Sequence, residues 1–294
     1  MARVGAHPSQ RTTAKADAIR QAFAALLVLT ASALMSGTAT AADAPLVLPA
    51  QVQQGAMVIG RVPPGSRVVY DGRRLDVTDY GTIVFGIGRD AQGQAKVSVT
   101  PPGGVEHTVA VTIRDRDWPI ERVNGVPPKT VSPPPAVAER IARERKQVTR
   151  ARATSNNGLG FAQHFIWPVK GRISGRFGNQ RIYNGTPGSA HSGMDIAAAR
   201  GTPVESPAAG TVVLAEPDLY FTGGTILIDH GYGIGSNFLH LSRLDVAVGD
   251  EVEQGEVIGA VGATGRATGP HLHWGMTWYS TRIDPLLVLE RSRE

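Results

Sequence analysis

Short apolar runs separated by glycine fill the second half of the chain and restrict its fold more than any other feature. Between residues 201 and 262 they read GTPVESPAAGTVVLAE, GGTILIDHG, GSNFLHLS and GDEVEQGEVIGAVG. Each run is short and bounded by turn residues, and almost none shows the period of an amphipathic helix. The 35 glycines and 20 prolines of the 294 residues also favour turn-rich β structure over a helical bundle. The sequence therefore predicts an all-β domain over residues 159–290.

A second β-rich region precedes this domain. Residues 62–77 contain a Pro-Gly turn, an alternating run and an Asp-Gly hairpin signal, and they are followed by the strand-like runs TIVFGIGRD, AKVSVT and HTVAVTIRD. This pattern predicts a small β-sandwich-like accessory domain over residues 43–130. Its one histidine is His107, and no cluster of polar residues suggests chemistry. We expect this accessory domain to be a binding or positioning domain.

The two β regions are joined by residues 131–158, which predict a proline-rich linker and a basic helix. Residues 139–152 contain six basic and two acidic residues, while Val137, Ile141 and Val148 share one helical face. A solvated linker helix is the plainer interpretation of this segment. The alternative is attraction of the helix to an anionic surface, such as a cell wall or lipid headgroups.

The N-terminal segment predicts export. Four basic residues precede the apolar run AFAALLVLTASALMSG, and an A-x-A-like cleavage site follows at residues 39–41. This arrangement is typical of a secretory signal peptide, here residues 1–42. The alternative is an uncleaved membrane anchor, because residues 22–42 carry no charge over a near-spanning length. Both interpretations take the rest of the chain out of the cytoplasm.

Composition excludes several classes of function. The chain has no cysteine, which rules out a disulfide framework, thiol catalysis and cysteine-ligated zinc. Its pI is about 9.7, yet residues 157–294 hold thirteen acidic against ten basic residues. The high pI is therefore no argument that this half binds nucleic acid, and we expect no nucleic-acid partner.

Two histidine-bearing motifs suggest where the chemistry lies. In ATGPHLHWG, residues 267–275, His271 and His273 would share one face of an extended strand, as for a metal site or a proton-transfer pair. In HSGMD, His191 and Asp195 form an H-x-x-x-D pair. Zinc accepts imidazole nitrogen and carboxylate oxygen, and a catalytic zinc keeps three protein ligands and one open position. His191, Asp195 and one histidine of the other pair would supply such a set.

Several segments, taken together in their order and spacing, resemble the lysostaphin/LytM-type zinc endopeptidases, which cut peptide bonds in bacterial peptidoglycan. They are HSGMDIAAARGTPV, FLHLS, VGATGRATGPHLHWG and RIDP. The likeness covers roughly Trp167 to Pro285, and SGRFGNQRIYNG and DLYFTGG look like the Gram-negative branch. The resemblance implies a LytM-type antiparallel β-sheet peptidase domain with an open groove, bordered by residues 179–190 and 262–270. It also implies one Zn²⁺, a periplasmic location and peptidoglycan stem peptides as partners, with D-alanyl–diaminopimelate as the bond cut.

The resemblance also assigns roles by motif position. The metal ligands fall on His191, Asp195 and His273, and the catalytic histidine falls on His271. His240, in FLHLS, matches the second histidine that lines the cleft. The sequence leaves open whether His240 or His271 is the general base.

Other polar residues receive weaker expectations. His230 is predicted to be a turn residue without a ligand role. Members of the family commonly carry tyrosine where this chain has Phe238, so Tyr183 or Tyr220 would have to supply that hydroxyl. Three acidic residues could be outer partners of the ligands but are predicted to be surface charges: Glu205, Asp229 and Asp250.

Two non-enzymatic functions compete with the peptidase. Some relatives of this fold lose ligands and activate other wall hydrolases, whereas here all three ligand positions are filled. GDEVEQGEVIGAVG also resembles the barrels that carry biotin or lipoate, which need a lysine at a hairpin tip. The only lysine of the second domain is Lys170, far from that segment, and this excludes a carrier.

Overall fold

The computed structural model describes residues 45–291, which all belong to one compact unit. The predicted signal peptide or anchor at residues 1–42 lies outside the described residues. Within the described range, no helix is both long and apolar enough to cross a membrane.

Eight strands form the N-terminal part of the described chain. They are β1 Gln51–Gln53, β2 Met57–Arg61, β3 Arg67–Tyr70, β4 Arg73–Leu75, β5 Thr82–Gly86, β6 Gln94–Thr100, β7 His107–Arg114 and β8 Ile120–Val123. Five of them form a sheet in the order β1-β7-β6-β3-β4, and β2 pairs with β5. Asp71 and Gly72 both have positive φ in the tight turn between β3 and β4, as the Asp-Gly hairpin signal predicted.

The C-terminal part is built on a larger sheet. The strands of this part of the chain are β9 Arg172–Gly175, β10 Gln180–Tyr183, β11 Thr186–Ala190, β12 Met194–Ala197, β13 Pro203–Glu205, β14 Gly210–Leu219, β15 Gly223–Asp229, β16 Ile234–Leu241, β17 Arg243–Leu244, β18 Glu251–Val252, β19 Val257–Ala260, β20 His271–Trp278 and β21 Thr281–Ile283. Of these, β10 and β11 form a separate sheet with β8. An antiparallel sheet runs β18-β14-β15-β16-β20-β12-β9, with β21 paired to β20. A small sheet, β13-β19-β17, accompanies it. The prediction of a mostly β fold is confirmed.

The buried side of the large sheet carries the core. On β20, Leu272, Trp274 and Met276 are fully buried, whereas their neighbours His271 and His273 point to the opposite face. The same hydrophobic cluster extends into the N-terminal strands, where Phe85 belongs to it. Because one core runs through both parts, the domain boundaries at residues 130 and 159 stay a prediction.

Three α-helices complete the described chain, α1 Pro128–Val131, α2 Ala138–Ala153 and α3 Pro285–Arg291, together with short 3-10 helices at Pro135–Val137 and Gly160–Ala162. The basic helix α2 is not merely a solvated linker. Val148 and Ala151 pack against Leu214 and Leu227 of the large sheet. Helix α3 was not predicted, because a seven-residue helix shows too little periodicity to be recognised.

Candidate metal centre

Strand pairing brings three predicted residues together. β12 and β20 are antiparallel neighbours, and Asp195 lies directly opposite His273 in their register. His191 precedes β12 in the chain, and its backbone N–H donates to the carbonyl of Asn179 at 2.8 Å. Two segments 78 residues apart therefore meet at one point of the sheet.

The three side chains form a nearly equilateral triangle of potential ligand atoms. His191 Nε2 lies 3.0 Å from Asp195 Oδ1 and 3.0 Å from His273 Nδ1, and His273 Nδ1 lies 2.9 Å from Asp195 Oδ1. All three residues are buried. Ligand atoms at about 2.0–2.2 Å from a tetrahedral zinc ion are about 3.3–3.6 Å apart. The triangle is a few tenths of an ångström smaller than this, so a slight expansion would fit it to such an ion.

The number of protons available to the three ligand atoms indicates that these atoms suit a cation. His191 Nδ1 lies 2.9 Å from the carbonyl of Arg176 and donates to it, which leaves a lone pair on Nε2. Asp195 Oδ1 is an acceptor, so His273 Nδ1 can supply at most one proton to the triangle. His273 Nε2 is buried and has no hydrogen-bond partner in the described structure. Converging lone pairs with too few protons are costly without a cation, and the residues therefore fit a divalent metal.

The charges of the site support the same conclusion. Burial raises the pKa of the Asp195 carboxyl, but the charges and hydrogen bonds of His191 and His273 outweigh it and hold that pKa well below its usual range. Burial lowers the pKa of His273 to about 4, against the opposing effect of Asp195. An ionised carboxylate beside an imidazole that resists protonation is the donor state that metal binding needs.

Two further histidines lie beside the triangle. His271 Nε2 is 3.8 Å from Asp195 Oδ1, and the rings of His240 and His271 are 4.8 Å apart. His240 has a φ of 65° at a bulge between β15 and β16, and both it and Leu239 line the groove. Burial, followed by the neighbouring histidines, lowers the pKa of His240 to about 3.

The two rings are held in the same tautomer. His240 Nδ1 donates to the carbonyl of Thr264 at 2.8 Å, and His271 Nδ1 donates to the carbonyl of Gly269 at 2.8 Å. Each neutral ring therefore keeps its lone pair on Nε2. Either histidine can accept a proton at that atom.

A groove of about 650 Å³ opens over the triangle. As predicted, its walls include residues of the 179–190 segment, which forms the β10–β11 hairpin and not a loop, and of the 262–270 turn, with the guanidinium of Arg266 4.5 Å from the ring centre of Tyr183. A third segment was not foreseen. Residues Glu121–Val123 and Val126, from before α1, also line the groove.

The structure also tests the predictions made for His230 and Asp229. His230 follows β15 at a turn, but its ring is fully buried and contacts the carbonyl of Ala209 and the hydroxyl of Ser236 at 2.8 Å each. The prediction of Asp229 as a surface charge is wrong. Its side chain is buried because it accepts backbone N–H groups of Asn156 and Gly231.

The two other acidic residues, and the phenylalanine that stands where the family commonly has tyrosine, take no part in the site. Asp250 is exposed and Glu205 is half-buried, and neither lines the groove. Phe238 is fully buried and pairs with Trp274, so a hydroxyl there would lie behind the sheet. Of the two suggested substitutes, Tyr183 lines the groove, whereas the hydroxyl of Tyr220 donates to the carbonyl of Lys129.

Sequence reasoning missed a polar partner of the ligands. Arg181 Nη2 donates to Asp195 Oδ2 at 2.6 Å, and Arg181 Nε donates to Glu121 Oε2 at 3.1 Å. Arg181 lies in the segment SGRFGNQRIYNG, where a basic residue ten positions before a proposed ligand is only a weak signal. Nothing in the sequence connected Glu121 with it.

Gly193 leaves space that the His273 ring needs, which gives a testable prediction. A Cβ at residue 193 would meet Trp274 O at 2.5 Å and His273 Nε2 at 2.7 Å. We expect Gly193→Ala to lower the free energy of unfolding by about 1–3 kcal/mol and to weaken metal binding. Denaturant unfolding and metal titration measure the two effects. Gly88→Ala is a matched control, because its Cβ would meet only ordinary packing distances; equal behaviour of both variants would contradict the assigned role.

The open groove on an antiparallel sheet and the two-histidine, one-carboxylate site define the class of the protein as a metallopeptidase. Residues 189–285 match the model of peptidase family M23. A solved structure described as an M23 peptidase, from Pseudomonas aeruginosa, superposes with a TM-score of 0.63 and 33% identity over 80% of this chain and 94% of that one. The chain belongs to peptidase family M23, as the resemblance predicted.

Curated relatives are longer proteins. The cell division protein DipM of Caulobacter vibrioides is 35% identical over 167 residues, which are 55% of this chain and 26% of DipM. The peptidoglycan DD-endopeptidase ShyA of Vibrio cholerae is 42% identical over 111 residues, 37% of this chain and 26% of ShyA. The matched part thus spans about a quarter of each of these relatives.

Proposed function

We propose that this chain is a zinc-dependent endopeptidase that hydrolyses peptide cross-links of bacterial peptidoglycan. The observation that carries the proposal is the triangle of His191 Nε2, Asp195 Oδ1 and His273 Nδ1, which opens on a groove next to two further histidines. Structural metal sites are closed by a fourth protein ligand, whereas catalytic sites leave one position open.

His191, Asp195 and His273 would hold the zinc ion. When bound, zinc supplies a Lewis acid that activates water and polarises the scissile carbonyl. His191 and Asp195 are already oriented by Arg176 and Arg181, so little reorganisation is needed on binding.

The two other histidines would move protons. His271 lies next to the triangle and keeps its lone pair on Nε2, so we assign it as the general base toward the attacking water. His240 stands one ring further away, and its Nδ1–H is bonded to the Thr264 carbonyl. It would therefore first have to take up a proton at Nε2, after which it would donate a hydrogen bond to the developing oxyanion or protonate the leaving amine. The groove walls hold the peptide across both rings.

The substrate is proposed to be the D-alanyl–diaminopimelate cross-link between stem peptides. The relative ShyA is a peptidoglycan DD-endopeptidase by name, which supports this bond type. Such a substrate lies outside the cytoplasm, so the proposal includes export to the periplasm, with residues 1–42 as cleaved signal or inner-membrane anchor.

A regulator without enzymatic activity is the alternative function, because DipM is named as a cell division protein and not as a hydrolase. A regulator of this fold has no need for a complete ligand set. The filled and oriented triangle of this chain therefore favours hydrolysis.

The basic helix α2 would add contact with an anionic wall or membrane surface. While its apolar side faces the sheet, four basic residues on it are exposed: Arg143, Arg145, Lys146 and Arg150. A charged surface of this kind increases local concentration at a polyanion.

The test is incubation of the purified chain with isolated sacculi, with and without a chelator, followed by mass analysis of the released fragments. We expect soluble muropeptides with newly cleaved D-alanyl–diaminopimelate bonds, lost on chelation and restored by zinc. Zinc binding without any bond cleavage would favour the regulator.

A further inference from the structure

Arg181 is a buried cation placed against a ligand of the proposed metal. Its side chain is 12% exposed, and its contact with Asp195 Oδ2 is 2.6 Å. A guanidinium keeps its proton in proteins, so Arg181 places a buried positive charge against Asp195. A second positive charge next to a bound dication is unfavourable unless a negative group offsets it.

Glu121 is the group that offsets this charge. Glu121 Oε2 accepts from Arg181 Nε at 3.1 Å, and Oε1 accepts from Asn179 Nδ2 at 2.7 Å. β8 and β10 are parallel neighbours in which Glu121 and Arg181 face each other. The pair therefore follows from the backbone register and not from a chance meeting of long side chains.

The segment that carries Glu121 is firmly docked. Trp118 covers Gly178 so closely that no Cβ would fit there. Backbone hydrogen bonds run from Gln180 N to Pro119 O and from Asn184 N to Val123 O, at 3.0 Å each. Glu121 is consequently held in place by the strand on which it stands.

The sheet also leaves room for the pair of Arg181 and Asp195. A Cβ at Gly175, on β9, would contact Arg181 Nη2 and would meet Asp195 Oδ2 at 2.7 Å. The close approach of these two charged groups thus depends on a glycine at the neighbouring strand.

We propose that Glu121, which lies outside the part matching the M23 model, is a positioning residue of the metal centre that acts through Arg181. It orients the guanidinium that holds Asp195 Oδ2 and offsets its positive charge beside the cation. The inference rests on the proposed function, because it assumes a metal at the triangle. If so, residues that precede the peptidase domain contribute to the metal centre.

The test compares zinc affinities of the full chain by competition with a chromophoric chelator. We expect Glu121→Gln to weaken zinc binding about tenfold, as for other outer partners of metal ligands. Because Glu121 acts through Arg181, adding Glu121→Gln to the single variant Arg181→Gln should leave zinc affinity unchanged. A role of Glu121 that is independent of Arg181 predicts instead that the losses of the two single changes add.

Arg116→Gln is the matched control. Arg116 pairs with the buried Asp284 at 2.8 Å and also ties the preceding segment to the C-terminal part, but it does not line the groove. It should lower the unfolding midpoint and leave zinc affinity within about twofold. Unchanged zinc affinity in Glu121→Gln, or a double variant that binds zinc more weakly than Arg181→Gln, would overturn the inference. Wild-type chain without zinc at the triangle would instead overturn the proposed function.

Discussion

Replacing His273 by alanine is expected to abolish metal retention and hydrolysis together. The change removes one of three converging ligand atoms and leaves His191 and Asp195 to hold the ion alone. Loss of a ligand should lower the metal affinity by more than the roughly 10–100-fold that follows removal of an outer partner. Metal content after dialysis and muropeptide release measure the two effects in one preparation.

His107→Ala is a suitable control, because His107 is an exposed residue of β7 in the N-terminal part. It should retain one metal ion per chain and full activity. Retention of metal and activity by the His273 variant would refute the ligand assignment, whereas loss of both in the control would indicate a general effect of losing a histidine.

Replacing His271 by alanine should separate binding from catalysis. His271 Nε2 lies near Asp195 Oδ1 but outside the triangle, so metal content should stay close to one ion per chain. Loss of a general base typically lowers turnover by about 10²–10⁴-fold. The measurement is metal content together with the rate of cleavage of a purified cross-linked muropeptide.

His240→Ala provides the comparison for this variant, since both rings line the groove and both donate Nδ1 to a backbone carbonyl. We expect a smaller loss of turnover there, in keeping with oxyanion or leaving-group assistance. Loss of metal from the His271 variant would mean that the roles of His271 and His273 are exchanged.

The local parts of the site were predictable from the sequence. Strand alternation placed His271 and His273 on one face, and the structure shows both on the groove side of β20 while Leu272 is buried. The Asp-Gly turn could likewise be predicted, because a turn with positive φ at two successive residues favours Asp-Gly there. The prediction of two strands converging on one site required only that β12 pair with β20.

Contacts set by distant pairing were not predictable in the same way. The parallel register of β8 with β10 joins Arg181 to a glutamate 60 residues earlier, and no periodicity in either segment encodes it. Asp229 was predicted to be a surface charge because the sequence does not reveal the two backbone N–H groups that donate to its buried carboxylate. Helix α2 looked solvated because Val148 and Ala151 provide only a narrow apolar face.

Anomalous diffraction at the zinc edge, from crystals of the zinc-loaded chain, tests the central claim most directly. We expect one strong peak about 2.0–2.2 Å from His191 Nε2, Asp195 Oδ1 and His273 Nδ1, with the fourth position facing the groove. A strong peak elsewhere, or a fourth protein ligand closing the site, would contradict it.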